Sequence, residues 1–260
     1  MIRLGFILFL LSITSSAFGA DSVIPKDQVI NICAEDTGWV PYSNPIKSEG
    51  NNGYEFSGYN RDIIEEIFKK NNIKFKFVIK PWQRCLKDAI DGNIHLVLDA
   101  ASNEERERNY LLTTPIYRMT PAYFFHKSDD KKLMMKTADL ILKNSPICGQ
   151  SGYTYKNFGI PSKEVKRLSK ALGRIIDLVS AKRCKIGLTR LEVLKRVLPT
   201  LKEYSDISYS VIKGAEKEEF FWLINKNFSF SKKLKKIIDK EFKSLISNGK
   251  LLKISTKYKI

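Results

Sequence analysis

Histidine is almost missing from this chain: only His95 and His126 occur, and each is embedded in an apolar, strand-like run. Ser–His, Cys–His and His-ligated metal designs therefore have little material to work with. The signatures of hydrolase, nucleotide and metalloprotease chemistry are also missing. There is no GxSxG, no GxGxxG after a strand, no GxxxxGK[ST] and no HExxH. Acids are plentiful, but nothing singles out a catalytic pair. The sequence thus points to no catalytic residue, no metal ligand, no cofactor and no enzymatic role.

Long apolar runs are confined to the start. "MIRLGFILFLLSITSSAFGADS" has one charge, Arg3, then an apolar stretch over Leu4–Leu11, then small residues. That is the layout of a secretory signal peptide, and the stretch is too short to span a bilayer. Ala17 and Gly19 fit the small-residue cleavage rule, so residues 1–19 are expected to be removed and the product to be periplasmic. About 240 residues then remain, enough for two domains or one large one.

Acidic charge is in deficit: 45 Lys and Arg against 28 Asp and Glu give a net charge of +17. The lysines are interleaved with acids, as in "EEIFKK" and "KEEFFWLINK", and no block of five basic residues occurs. A solvated basic surface is expected, not a nucleic-acid footprint. Cysteine is sparse but even in number. Cys33, Cys85, Cys148 and Cys184 all follow the signal, and an exported chain forms disulfides. Three pairings are open, and the spacing fits neither CxxC nor a zinc knuckle.

What is present is alternation. "QVINICAED" reads as a strand and "YNRDIIEEIFKKNN" as a helix with Ile63, Ile64, Ile67 and Phe68 on one face. "IKFKFVIK" is a strand, "PWQRCLKDAIDGN" a helix opened by proline and closed by glycine, and "IHLVLDA" a strand. Such β-α-β-α-β order implies a parallel sheet covered by helices. A weaker second unit follows, with strands at "TPAYFFHKS", "SPICGQSGYTY", "CKIGLT" and "EFFWLINKN". Helices are read at "LMMKTADLILKN", "SKALGRIIDLVSAKRC" and "RLEVLKRVL". The closing "SKKLKKIIDKEFKSLIS" carries an apolar stripe that packs on a sheet, and "NGKLLKISTKY" is a last short helix.

In open α/β sheets ligands bind beyond the carboxyl ends of the strands. The residues there are Asp36, Trp39 and Tyr42 after the first strand, Trp82 after the second, and Asp99 and Arg106 after the third. Ser151 to Tyr155 follow the Cys148 strand, and Thr189 and Arg190 the Cys184 strand. Aromatic rings around ionic groups suit a small charged or zwitterionic molecule.

The segments "WVPYS", "GYNRDIIEEIFKK", "LKDAIDGNIHLVLDAASNEERERNYLLTTPIY", "CGQSGYTY" and "SAKRCKIGLT", in that order, and "FWLINKNFSFSKKLKKIIDKEFKSLISNGKLLKISTKY" after them, resemble the periplasmic solute-binding proteins of the amino-acid type. These serve ABC importers. The resemblance covers nearly all of the mature chain. It implies a two-lobed α/β fold (type II), two parallel-rich sheets joined by two hinge strands near Ala122–Lys127 and Phe220–Asn225. Residues 20–121 and 226–260 would form the first lobe, and 122–225 the second, hinge strands included. A small-molecule ligand would sit between the lobes, which close on it. A membrane ABC permease, or a sensor protein, would be the partner of a monomer.

Carried over residue by residue, Arg106 matches the arginine that takes the ligand carboxylate, with Arg108 the nearby competitor. Tyr153 and Thr154 match a second-lobe turn whose amides and hydroxyl meet the same carboxylate, and Trp39 and Tyr42 match an aromatic pair. Two positions depart from the pattern. Ala101 stands where a hydroxyl is usual, and Arg190 where an acid neutralises the ligand ammonium. Arg190 would repel an ammonium and attract a second anion, which leaves a dicarboxylate or a peptide-like acid open beside an amino acid. Asp99 or Glu192 would supply the missing negative charge. The lobes imply the bridges Cys33–Cys85 and Cys148–Cys184. The expected function is binding of a carboxylate-bearing solute for import, with ligand sensing, or a cell-envelope enzyme, as alternatives.

Overall fold

The structure is a computed structural model that describes residues 24–48, 53–200 and 205–260. The signal segment expected over residues 1–19 lies outside the described residues. The chain begins with β1 (Val29–Glu35), β2 (Asn44–Lys47), β3 (Tyr54–Ser57), α1 (Tyr59–Lys70), β4 (Lys74–Lys80) and α2 (Trp82–Ile90). It continues through β5 (Leu96–Ala101), α3 (Glu104–Asn109), β6 (Tyr110–Leu112) and β7 (Tyr117–Met119). A second body follows: β8 (Pro121–His126), α4 (Asp130–Leu133), α5 (Ala138–Leu142), β9 (Ile147–Gln150), β10 (Val165–Ser169), α6 (Leu172–Ser180), β11 (Ile186–Arg190), α7 (Leu191–Val197) and β12 (Ile207–Val211). The chain then returns through β13 (Glu218–Asn225), α8 (Ser231–Ser247) and α9 (Lys250–Tyr258).

The first sheet has the order β4-β1-β5-β13-β6, with β7 also on β13; the second has β10-β9-β11-β8-β12. β1 runs parallel to β4 and β5, and β9 parallel to β10 and β11. The two crossing strands are antiparallel to their neighbours: β8 pairs with β11 and β12, and β13 with β5. This is the two-lobed, mixed α/β architecture with parallel-rich sheets that the alternation implied. The second crossing strand, expected to belong with the second lobe, is hydrogen-bonded into the first sheet over Glu218–Asn225. The physical reason is that β13 is apolar on both faces beside β5: Phe220 and Ile224 pack into the core on one side and Leu223 into that on the other.

The long helices bury the stripes that their spacing announces. Ile63, Ile64, Ile67 and Phe68 of α1, and Leu234, Ile238, Phe242 and Leu245 of α8, pack in one core with Ile30, Ile32 and Trp222. "LMMKTADLILKN" is not one helix: Met134 leaves the helical region at ψ 139°, and only the short α4 and α5 form. The disulfides are Cys33–Cys85 and Cys148–Cys184, each closing within one lobe.

Candidate functional site

The carboxyl ends of β1, β5, β9 and β11 face one another across the gap between the lobes. α3 begins there, and Asn103 caps it by accepting the Arg106 N–H at 2.8 Å through Oδ1. The cap fixes the first turn, and that turn sets the register of the two arginines. Arg106 is turned inward and is 6% exposed, whereas Arg108 faces solvent. The Arg106 guanidinium lies 5.2 Å from the Trp82 ring centroid. It donates to Ala101 O at 2.5 Å and, across the gap, to Gly152 O at 3.4 Å. Among the described residues it forms no salt bridge. Burial, with Arg190 nearby, lowers its pKa to about 10.

A cavity of about 20 Å³ lies beside it, lined by Glu35, Trp39, Trp82, Asp99, Ala101, Arg106, Tyr153, Thr154, Arg190 and Phe220. That volume holds about one water. Seven of the eight residues expected at the site line it. Tyr42 does not: it is fully buried behind the cavity, stacked on Tyr117 at 3.7 Å, and its hydroxyl has no partner among the described residues. Glu192 also lies elsewhere, accepting the Thr120 N–H at 2.9 Å and the Thr120 hydroxyl at 2.9 Å.

Arg190 differs from its expected role. Its Nε and Nη2 reach Glu218 Oε2 at 2.8 and 2.6 Å, and Nη2 also donates to Thr154 O at 2.8 Å. Both side chains are buried. The rings of Trp39, Tyr155, Phe158 and Phe220 stand within 6 Å of the guanidinium. The charge of Arg190 is therefore already neutralised, and the expected pull on a second anion is withdrawn.

Two acids complete the site. Asp99 accepts from Ser43 at 2.5 Å, Asn60 at 2.6 Å and Tyr117 at 2.5 Å. It sits at φ 62°, an unusual backbone region for a residue with a side chain. Desolvation outweighs those three bonds and raises its pKa to about 6. Glu35 is the residue that the sequence reading passed over in favour of Asp36, one position beyond. It is 8% exposed and accepts the Tyr153 hydroxyl. Its pKa is raised to about 7, chiefly by burial, with the Tyr153 bond opposing. The alternation of β1, in which Cys33 is also buried, was the available signal for Glu35.

The site is closed by a turn of the second lobe. Gly152 has φ +84°, and a Cβ there would come within 2.3 Å of Gln83 Nε2 and 3.1 Å of Trp82 Cδ1, so the backbone approaches α2 closely. Gly152 O also accepts from Trp82 Nε1 at 3.1 Å. The Tyr153 ring packs on Trp39 at 5.4 Å. The turn thus presents a carbonyl to Arg106, not the amides expected of it. A larger groove of about 1410 Å³ runs along β13 between Leu111 and Ala215. None of its charged lining residues is buried, so the convergent chemistry lies in the small cavity.

Two α/β lobes with charged and aromatic groups converging between them define a ligand-binding protein of the periplasmic two-lobed class. The chain belongs to the bacterial extracellular solute-binding proteins, family 3, matching that family over residues 33–259. Its fold is that of amino acid ABC transporter substrate-binding proteins. One, from Streptococcus pneumoniae Canada MDR_19A and bound to L-arginine, is 16% identical with a TM-score of 0.68, covering 88% of this chain and 93% of that one. ArtJ from Geobacillus stearothermophilus, an arginine-, lysine-, histidine-binding protein, is 16% identical with a TM-score of 0.69, covering 89% and 95%. An ancestral amino acid-binding protein described as a precursor of cyclohexadienyl dehydratase is 17% identical with a TM-score of 0.69, covering 88% and 95%. None of the curated proteins matches the sequence. Members of the family are extracellular or periplasmic, bind small molecules and work with ABC permeases.

Proposed function

We propose that this protein captures an amino acid between its lobes in the periplasm and delivers it to an ABC permease without chemical change. Arg106 takes the ligand carboxylate, Trp39, Trp82 and Phe220 enclose its apolar part, and Asp99 and Glu35 take its positive groups. The observation that carries this is the pairing of charges. With Arg190 held by Glu218, Arg106 is the cation free to meet a carboxylate, and two acids line the cavity with it. That balance favours a zwitterion or a basic amino acid over a dicarboxylate. The arginine bound by the S. pneumoniae protein and the ligands named for ArtJ are of this chemistry.

A thermal-shift screen of the twenty amino acids, short peptides and C4–C5 dicarboxylates tests it. A ligand at 100 times its dissociation constant stabilises by about 2.7 kcal/mol. Stabilisation by dicarboxylates alone overturns the charge assignment.

A further inference from the structure

The second-lobe turn occupies the pocket in the manner of a ligand. Gly152 O is an acceptor set on Arg106 and on Trp82 Nε1, at 3.4 and 3.1 Å. The Tyr153 ring lies on Trp39 at 5.4 Å, and its hydroxyl donates to Glu35 on the far wall. Acceptor, ring and donor therefore meet, in order, the anion clamp, the aromatic wall and the acid. The lobes are shut, and the space left is about 20 Å³, too little for any amino acid. The Gly152 carbonyl takes an Nη2 hydrogen of Arg106 that a ligand carboxylate would otherwise use.

We infer that Tyr153 is a specificity-determining plug: with Gly152 it fills the place between the lobes that the cognate ligand takes, and only an amino acid of matching chemistry displaces it. This rests on the amino-acid reading above and deepens it. The plug places its donor one tyrosine side chain away from its acceptor. The matching ligand is an L-amino acid with a long, donor-tipped side chain, arginine or lysine, not alanine or glutamate. The tip takes over Glu35 and the carboxylate takes over Arg106. Gly152 adds to the argument. Its φ of +84° strains any residue with a side chain, and a Cβ there would push Gln83 Nε2 aside and crowd Trp82 Cδ1, so this close docking of the turn favours glycine.

Self-occupancy lowers apparent affinity by the fraction of molecules that are unplugged. A pocket free in about one molecule in ten binds about tenfold more weakly than one always free. The experiment compares wild type, Tyr153→Phe and Tyr153→Thr. Small-angle scattering gives the radius of gyration without ligand, and calorimetry gives affinity for L-arginine, L-lysine, L-alanine and L-glutamate. Wild type should be compact before ligand is added and should not contract on binding L-arginine. Tyr153→Thr should be expanded without ligand, contract on binding, bind L-arginine about tenfold more tightly and accept L-alanine. Tyr153→Phe, which keeps the ring and loses the donor, should fall between. If wild type and both variants share one radius and one set of affinities, the plug is overturned while the amino-acid reading stands. If the radii differ as expected but no amino acid binds any of the three, the plug stands and the amino-acid reading falls.

Discussion

Arg190 and Glu218 join the two lobes through a buried ion pair at 2.6 Å. Arg190 ends β11 of the second sheet, and Glu218 begins β13 of the first. Removing one partner of such a pair leaves an uncompensated buried charge, which costs about 3–5 kcal/mol. Arg190→Met is therefore expected to lower the urea midpoint strongly. Arg190→Met with Glu218→Leu should recover at least half of the loss. Arg190→Asp, which sets two carboxylates together, should destabilise further and leave ligand preference unaltered. Equal stability for the single and double variants in chemical denaturation would contradict the pairing.

Arg106→Ala removes the proposed anion clamp. A charge-assisted, two-pronged contact is lost, so affinity for the cognate amino acid should fall by about 100-fold or more, close to 3 kcal/mol. Stability should drop by only about 1–2 kcal/mol, because the freed partners are the Ala101 and Gly152 carbonyls. Arg108→Ala should change neither. Calorimetry and thermal melts on the two variants separate these outcomes.

Glu35 couples the site to pH. Its folded pKa of about 7 lies above the ordinary 4.5, so between those values the folded state holds the extra proton. Stability of the ligand-free protein is then highest below pH 4.5 as far as this group is concerned, and it falls as pH rises through 7. The full effect is on the order of 3 kcal/mol. Asp99, raised to about 6, acts in the same sense at lower pH. Melting temperatures from pH 5 to 8 should fall for wild type and fall less for Glu35→Gln.

Tyr42→Phe deletes a buried hydroxyl that has no partner among the described residues. Leaving such a group buried costs free energy, so the variant should be as stable as wild type or up to about 1 kcal/mol more stable. Its ligand affinity should not change. A tenfold loss of binding would return Tyr42 to the site.

Reducing both disulfides should cost about 4 kcal/mol each in the chain-entropy model, for separations of 52 and 36 residues. Neither bridge crosses between the lobes, so protein that stays folded after reduction should bind with unchanged affinity. Paired denaturation and calorimetry with and without dithiothreitol measure both effects.

Much of this was legible from spacing alone. The helical stripe of α1, the proline start of α2 and the apolar run of β5 are local signals, and they placed Trp82, Asp99 and Arg106 at strand ends. The edge strands of the second sheet were not legible. β10, "VKRLS", and β12, "ISYSV", lie at the two margins of the second sheet, where one flank lacks a partner and the apolar pattern is thin. Register and resemblance set Arg106 above Arg108 in the sequence, and the Asn103 cap is what turns Arg106 inward in the structure. The partner of Arg190 was not legible either, because Glu218 lies 28 residues away on a strand that crosses between lobes. Glu35 was missed because the search began beyond the strand, at Asp36, and not at its last residue.

The path of β13 has a consequence for how the chain assembles as it is made. In the first sheet, β5 and β6 flank a slot that only β13 fills, and α8 and α9 then cover the core beside it. The second sheet is complete once Val211 has appeared. The body that comes second in the chain can thus finish first, while the one begun at Val29 stays open-faced until residues 218–260 arrive. During that interval β5 presents an unpaired apolar edge, the part of this molecule most in need of a chaperone.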